Sequence, residues 1–539
     1  MAEETQQPAE VTLTIDGETV TVPREMNLIQ AAAKAGIEIP SFCFHHRLSV
    51  AGNCRICLVE IEKMPKNQIA CSTRVAPGMV VKTRSEKAVK GRQGVMEFLL
   101  INHPLDCPIC DKAGECILQS HSFHYGTGQS RFEGEKVHGD KQVDLGPHIV
   151  FDAERCIKCT RCIRFCDEVT HTHELGFFNR GDHSIIGTFP GRRLDNAYSG
   201  CTSDICPVGA LTVKEFRFKQ RVWFLKNTAS ICSGCARGCN VYLGIHQNRI
   251  WRIMPRESEA VNKSWICDEG RLSYERYQIA ERLADARSGP MVGTAAGTAR
   301  PLMPRAAWEE AAATLGEVAR KHGGASIAAI TSGHATLEEQ AALAELMRTL
   351  GGTRTALPVH ERGEDDGLLI RKDKTMNSRG ALLIGGVNAR LDEIVAAAAK
   401  GEIRALIVLR EDPIGEGGEE AGAALGTLDL LLTLDWRVTP TVRASDLALP
   451  VCAYGELDGS AMNFEGRLQL LRPGLLPHGE SDPAWRPLYE MVARLGGEPA
   501  PQSFRDAFRR SASRPGPLFG LDTPAVGTAG LDLANAKEP

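Results

Sequence analysis

Cysteine is nearly absent from the second half of this 539-residue chain: 17 of its 18 cysteines precede residue 268, and only Cys452 follows. Thiol and metal chemistry is thereby confined to the first half. The chain also lacks any run approaching the roughly 18 to 20 apolar residues that a membrane-spanning helix requires. Its N-terminus, MAEETQQPAE, is acidic and polar, without the basic and apolar regions of a secretory signal. A cytoplasmic or peripheral location is the expectation. Charge of one sign is not in excess either: a net charge of −4 gives no reason to expect nucleic acid or anionic lipid as a partner. What remains is an ordinary soluble composition, 43% hydrophobic and 24% charged, on a chain long enough for three or four domains.

The cysteines that are present fall into sets. Cys43, Cys54, Cys57 and Cys71 are spaced C-x10-C-x2-C-x13-C, and His103, Cys107, Cys110 and Cys116 are spaced H-x3-C-x2-C-x5-C. Each set holds a tight C-x2-C pair, which lets two thiolates of one turn grip a metal centre while more distant ligands close the cage. The first looks like a [2Fe-2S] site and the second like a [4Fe-4S] site with one histidine ligand. Disulfide pairing is the competing reading, but in a reducing compartment such clustered thiols are metal ligands more often than bridges. His103 on its own is ambiguous between ligand and polar neighbour. No further cysteine occurs in the 39 residues after Cys116, which favours His103 as the fourth ligand. Structural zinc remains open for this set, since three cysteines and a histidine also suit zinc.

A third set reads Cys156-x2-Cys159-x2-Cys162-x3-Cys166, followed forty residues later by Cys206-Pro207. In two-cluster ferredoxins the first three cysteines of one run share a cluster with the fourth of the other, so Cys156, Cys159, Cys162 and Cys206 are predicted to hold one [4Fe-4S] cluster. Counted back from Cys206, the remaining positions of the second run are Asn196, Ser199 and Thr202. That second cluster is lost, leaving Cys166 without partners and Cys201 one residue out of register. A three-iron cluster using Cys166 and Cys201 is the reserve reading. The fourth set is Cys232-x2-Cys235-x3-Cys239-x27-Cys267, again a choice between cluster and zinc.

Around these sets, residues 11–22 alternate about Asp16-Gly17 as a β-hairpin does, Asn27 can cap a helix over residues 28–35, and Gly36 is placed to end it. Residues 85–101 have helical apolar spacing at Val95, Met96, Leu99 and Leu100 and lead into His103. Polar residues 126–147 read as a connection. Residues 241–245 and 249–254 read as strands about His246-Gln-Asn248. From about residue 300, apolar runs at 326–331, 381–385, 403–409 and 428–434 alternate with Ala-rich helical stretches at 336–350 and 391–400, predicting an α/β domain with a mainly parallel sheet. The glycines at 385–386 and 415–418 are weak candidates for phosphate loops and more often mark turns.

Hairpin, helix and cysteine loop together resemble the β-grasp fold of plant-type ferredoxins, and the ten-residue gap before Cys54 resembles the first domain of the G subunits of NADH-quinone oxidoreductases. The fourth set resembles the cluster domain of molybdopterin oxidoreductases, and ASDLALP with NFEGRLQ, within residues 439–469, is similar to segments that line the pterin region in that family. No late cysteine stands where that family places its metal ligand, so the resemblance implies an inactive, degenerate scaffold without molybdenum.

The succession resembles the G-subunit family of NADH-quinone oxidoreductase (respiratory complex I) over essentially the whole chain. It implies a β-grasp domain at 10–84, a histidine-ligated cluster domain at 85–125, a ferredoxin-like domain at 145–222, a four-cysteine cap at 225–281, a degenerate molybdopterin-type domain at 300–511 and a flexible tail at 512–539. It also implies one [2Fe-2S] and three [4Fe-4S] clusters. Electrons would come from a flavin and NADH-binding subunit and pass the [2Fe-2S], the ferredoxin-type and the histidine-ligated clusters in turn. They would leave towards quinone-side iron-sulfur subunits at the cytoplasmic face of a bacterial inner membrane. The fourth set lies off that route, and no residue acts as general acid, base or nucleophile. Three other readings share parts of the pattern: a molybdenum-dependent formate dehydrogenase large subunit, the electron-transfer subunit of an NAD-reducing hydrogenase, and a zinc-rich scaffold.

Overall fold

The computed structural model describes residues 10–291, 299–513 and 518–533. The chain divides into two compact units, Met1–Leu225 and Lys226–Pro539.

The first unit opens with β1 (Glu10–Ile15) and β2 (Glu18–Pro23), joined through Asp16 and Gly17 at φ 49° and 93°, the positive values a two-residue hairpin turn demands. In α1 (Leu28–Lys34), Asn27 and Gln30 exchange side-chain and backbone hydrogen bonds in a capping box. β3 (Leu58–Ile61), β4 (Gln68–Ile69) and β5 (Val80–Lys82) complete a five-stranded sheet in the order β2-β1-β5-β3-β4. Leu13, Ile15, Leu28 and Val59 share its core with Cys57 and Cys71.

α2 (Glu86–Ile101), capped by Ser85, buries Ala88, Arg92 and Met96. Arg92 is tolerated there because its guanidinium donates to the Leu58 carbonyl at 2.7 Å and the Tyr125 hydroxyl at 3.2 Å. After α3 (Ile117–Tyr125), residues 126–142 run without helix or strand. Next come β6 (Val143–Asp144), β7 (Ile149–Phe151), α4 (Arg161–Glu168), the β8 (Leu175–Phe178) and β9 (Ile185–Thr188) hairpin, α5 (Cys201–Ile205) and β10 (Leu211–Val213). β10, β7 and β6 form one antiparallel sheet in that order.

The second unit starts with an antiparallel meander of β11 (Lys226–Ile231), β12 (Asn240–His246) and β13 (Arg249–Pro255), turned between the last two by Gln247 and Asn248 at positive φ. α6 (Asp268–Leu272) follows, and β14 (Ala286–Ser288) and β15 (Arg300–Leu302) make an antiparallel sheet edge. Then α7 (Pro304–His322), β16 (Ile327–Ile330), α8 (Leu337–Leu350), β17 (Arg354–Ala356), α9 (Ser378–Ile384), α10 (Leu391–Ala399), β18 (Ala405–Leu409), α11 (Pro413–Leu425), β19 (Leu430–Asp435), α12 (Pro440–Ala444) and β20 (Leu447–Pro450) succeed one another.

The sheet runs β15-β14-β20-β19-β18-β16-β17, parallel from β20 onward. Its central strands are buried on both faces, which explains their continuous apolar runs. Ile327, Ala405 and Ile407 face a core shared with α7 and α8. Ala328, Leu406 and Val408 face the opposite core, shared with α10. β21 (Gly459–Met462), β22 (Arg467–Leu471), α13 (Trp485–Arg494), α14 (Phe504–Ser511), α15 (Thr523–Val526) and β23 (Leu531–Asp532) complete the unit.

Two expectations are corrected. Of residues 381–385, read as a strand, 381–384 belong to α9 and Gly385 is its C-cap. Five apolar residues are too few to separate strand from helix. The helix start is held by Asn377, whose amide donates to Ala335 O at 2.7 Å and whose Oδ1 accepts from Met462 N–H at 2.8 Å, while Leu382 and Leu383 are exposed. The flexible tail expected over 512–539 is not one where it is described. Leu518 and Val526 are buried against Phe508 and Leu468, and β23 pairs with β22. Residues 514–517 and 534–539 lie outside the described residues.

Candidate functional site

The loop after α1 carries Cys43, the approach to β3 carries Cys54 and Cys57, and the turn after β4 carries Cys71. The Cys43 thiol is within hydrogen-bonding reach of those of Cys54 and Cys71, and Cys57 of Cys71. The Cys43 N–H also donates to Cys54 Sγ at 3.4 Å. Hydrogen bonds from Cys54 and Cys71 draw the Cys43 thiol down to about 2, and Cys71 draws Cys57 down to about 7. The same bonds push Cys54 and Cys71 up. Four thiols sharing protons in one pocket are a site that a metal completes by displacing those protons.

In the second set, Cys116 caps α3 with its Sγ, accepting from Gln119 N–H at 3.5 Å. Burial pushes the Cys110 and Cys116 thiols up, and each feels the charge of Cys107. Lys136 donates to the carbonyls of Leu100, Ile101 and His103 at 3.0, 2.7 and 3.0 Å, so one ammonium both caps the end of α2 and fixes the His103 backbone. Burial, reinforced by Arg155 and Lys136, holds the His103 imidazole down to about 4. It is therefore neutral at physiological pH, the form that ligates metal.

The third set lines a small pocket: Cys156, Cys159, Cys162 and Cys206 are all in its wall, with Phe151 and Val208 among its apolar neighbours. Lys158 and Thr160 stand at φ 54° and 65°, folding the loop tightly, and the Lys158 N–H donates to Cys156 Sγ at 3.4 Å. Burial pushes Cys156 up to about 12, Cys159 to about 11 and Cys162 well above its usual value. Such thiols become thiolates only when a metal takes the proton's place.

Cys166 and Cys201 are buried and are not among the residues of that wall. The positions counted back from Cys206 make polar contacts of their own. The buried Glu174 carboxylate accepts from Thr172 Oγ1 (2.8 Å), Asp195 N–H (3.1 Å), Asn196 N–H (3.0 Å) and the Asn196 amide. Thr202 Oγ1 donates to Ser199 O at 2.7 Å.

The fourth set lines a second small pocket, with Cys232, Cys235, Cys239 and Cys267 in its wall. The amides of Gly234 and Gly270 donate to Cys232 Sγ and Cys267 Sγ, both at 3.3 Å. A Cβ at Gly270 would lie 3.0 Å from Cys232 Sγ and 3.3 Å from Cys267 Sγ, so the backbone closes directly on the thiols. The NFEGRLQ segment packs on this loop: Phe464 N–H donates to Ala236 O at 2.9 Å, and the Gln469 amide donates to Gly238 O at 3.0 Å. Cys452 is buried after β20, its thiol donating to Ser481 O at 3.6 Å.

Each of these two pockets is lined by four cysteines. Four cysteine sulfurs converging on one point are the donor set of a [4Fe-4S] cluster, and zinc accepts the same donors. The residues present fit clusters.

Three sets adjoin. The Cys206-Pro207 turn touches the second set: Ile117 N–H donates to Pro207 O at 3.0 Å, and a Cβ at Gly209 would stand 2.3 Å from Cys110 Sγ. Arg161 and Arg164 of α4 donate to the carbonyls of Phe44 and Cys43, in the first set's loop. Sequence reasoning missed both arginines because their partners lie more than a hundred residues away. It also missed His360, Glu411 and Glu416, whose ligand atoms lie within 4.8 Å of one another. There the His360 Nε2 to Glu411 Oε2 hydrogen bond, 2.9 Å, already accounts for the grouping.

Family models match along the chain. A 2Fe-2S iron-sulfur cluster binding domain covers residues 8–86, and an NADH-ubiquinone oxidoreductase-G iron-sulfur binding region covers 92–131. An NADH-quinone oxidoreductase subunit 3 ferredoxin-like domain covers 146–212, an NDSU1/NuoG-like 4Fe-4S domain covers 225–275, and a molybdopterin oxidoreductase domain covers 374–494.

With the thiol centres, these domains define an iron-sulfur cluster-binding protein. The NADH-quinone oxidoreductase G subunit of Rickettsia bellii is 40% identical over 473 residues, 84% of this chain and 67% of that one. The same-named protein of Rickettsia felis is 41% identical over 343 residues, 63% of this chain and 49% of its own length. The chain belongs to the G-subunit family of NADH-quinone oxidoreductase. It spans about half the length of the first curated relatives it matches. A solved structure described as NAD+-reducing [NiFe]-hydrogenase is 30% identical, covering 39% of this chain and 91% of that chain, with a TM-score of 0.36.

Proposed function

We propose that this chain is the electron-relay subunit of an NADH-quinone oxidoreductase, carrying electrons from an NADH- and flavin-binding subunit towards quinone-side iron-sulfur subunits. The ligands are Cys43, Cys54, Cys57 and Cys71 for a [2Fe-2S] cluster. Three [4Fe-4S] clusters take, in turn, His103 with Cys107, Cys110 and Cys116; Cys156, Cys159, Cys162 and Cys206; and Cys232, Cys235, Cys239 and Cys267. When bound, such clusters supply one-electron carriage at potentials set by ligand type, charge, hydrogen bonding and burial.

The observation that carries the reading is the position of the third set. Its loops touch the first set through Arg161 and Arg164, and the second through Pro207 and Gly209. That is the order a relay from the first set to the second through the third requires. The chain's own residues supply ligands, amide donors to sulfur and an apolar wall that excludes water. No helix among the described residues is long and apolar enough to cross a membrane, in keeping with attachment to the cytoplasmic face of the membrane through partner subunits. The fourth set is read as structural and off the route, and the α/β domain as a molybdopterin-type scaffold without molybdenum.

The test is iron, acid-labile sulfide, zinc and molybdenum content of anaerobically purified full-length protein, with low-temperature EPR after dithionite reduction. The expected result is about 14 iron atoms per chain, one [2Fe-2S] signal and several [4Fe-4S] signals. Zinc in place of iron would refute the relay. Stoichiometric molybdenum would favour a catalytic formate dehydrogenase-type subunit.

A further inference from the structure

α4 projects two arginines out of the third set's ligand run and into the first set's loop. Arg164 Nη2 donates to Cys43 O at 2.6 Å and to Cys159 O at 3.3 Å. One nitrogen thus holds the backbone carbonyl of a ligand cysteine from each set. Arg164 Nη1 donates to Ser49 O, and its Nε donates to Thr160 Oγ1 at 3.1 Å, which fixes the guanidinium plane. Arg161, buried beside it, spans the same gap, with Nη1 on Ile205 O at 3.1 Å and Nη2 on Phe44 O at 2.5 Å. Ile205 and Phe44 are chain neighbours of the ligand positions Cys206 and Cys43. Five carbonyls from the two sets are therefore gathered by two permanent cations.

Burying a guanidinium costs several kcal/mol unless its donors and charge are met. Here backbone carbonyls meet the Nη1 and Nη2 donors of Arg161, and the thiolates of a loaded site would meet the charge. Arg161 feels Cys159, Cys206 and Cys43 together.

We propose that Arg164, supported by Arg161, is a positioning residue between the first and third centres, fixing their separation, coupling their ligand backbones through one nitrogen and holding both potentials up with its charge. This rests on the relay reading above. Arginine is suited to it and lysine is not: the planar fork reaches several acceptors at once, whereas an ammonium is a point charge.

The experiment compares wild type, Arg164→Lys, Arg164→Gln and Glu168→Gln as full-length, anaerobically reconstituted chains. EPR-monitored redox titration gives the potentials of both centres. Rapid freeze-quench EPR after mixing with a limiting one-electron reductant gives the transfer rate between them. Glu168 is the control: its carboxylate accepts from Ser49 N–H at 2.8 Å and from Ser49 Oγ at 2.5 Å, tying the same loop to α4 without touching either ligand carbonyl.

Arg164→Gln should lower both potentials by roughly a tenfold change in each one-electron equilibrium constant, 59 mV, and slow transfer. Arg164→Lys should keep both potentials and still slow transfer. Glu168→Gln should leave the transfer rate unchanged. Wild-type potentials and rates in both arginine variants, or slowing by Glu168→Gln equal to that by Arg164→Lys, would overturn the proposal. Should Arg164→Gln fail to take up clusters, the rate in Arg164→Lys decides. Absence of clusters from the wild type would instead overturn the relay reading.

Discussion

Adding one methyl group at Gly209 separates the two roles open to Cys110. The Cβ of Gly209→Ala would stand 2.3 Å from Cys110 Sγ, and ordinary contact begins near 3.4 Å, so the sulfur must retreat by about 1 Å. A free thiol does this cheaply by turning about χ1. A ligand does not, because metal–ligand distances hold to within about 0.2 Å. Gly209 is not at positive φ, so the change adds no backbone strain and the effect is purely steric.

The expected outcome is a chain whose apo form melts within about 1 kcal/mol of wild type but whose second centre fails to load. In anaerobically reconstituted protein, iron should fall by about four atoms per chain. The EPR spectrum should match that of Cys110→Ala, and the [2Fe-2S] signal should be kept. Full iron content with an unchanged spectrum would refute both the ligand role of Cys110 and the close seating of the Pro207 turn against it.

Three further changes test other parts of the molecule. Glu338, buried on α8, accepts from Ser460 N–H at 3.0 Å and Ser460 Oγ at 2.5 Å, and burial raises its carboxyl to about 7 from 4.5. The folded state holds this proton when the unfolded chain has lost it. Its stabilisation is therefore full below about pH 4.5 and is lost as pH rises through about 7, on the order of 3 kcal/mol in all. Glu338→Gln should flatten urea-denaturation stability over that window, and a wild-type slope would contradict the assignment. Arg410 meets Glu339 at 2.7 and 3.0 Å, both buried, while Glu339 also accepts from Thr336 N–H and Ala484 N–H at 3.0 Å. Arg410→Met should cost about 3–5 kcal/mol in calorimetry, and adding Glu339→Gln should recover part of it; no recovery would show that the stranded charge is not the cause. Cys267→Ser should remove about four iron atoms and leave the other EPR signals intact; loss of zinc alone would reassign that centre.

Much of this was legible in the sequence where the controlling interactions are local. The Asp16-Gly17 turn, the Asn27 cap and the runs that became β18 and β19 each carry their cause within a few residues. The cysteine sets could be grouped from the sequence because a C-x2-C pair keeps two thiols within one turn whatever surrounds it. α9 was misread because its helical state depends on Asn377 bonding to Ala335 and Met462, residues distant in sequence. Residues 518–533 read as a tail because Leu518, Val526 and Leu531 are too sparse to signal a core, and become one only when set against Phe508 and Leu468. Arg161, Arg164 and Glu174 were invisible for the same reason: a charged residue announces nothing until its acceptors or donors, far along the chain, are brought beside it.

The amides that donate to sulfur, those of Cys43, Gln119, Lys158, Gly234 and Gly270, belong to tight turns and caps whose backbone cannot rotate independently. A fixed dipole does not turn when charge arrives beside it, whereas water does. In a centre lined this way, an added electron meets donors already aimed at the sulfur, and little of the surroundings has to move before the electron can leave again. Under the proposed relay, the reorganisation energy of a transfer at the first three centres would be kept small by backbone already folded into place, so the turns at Cys43, Gln119 and Lys158 would serve electron-transfer speed as well as metal affinity.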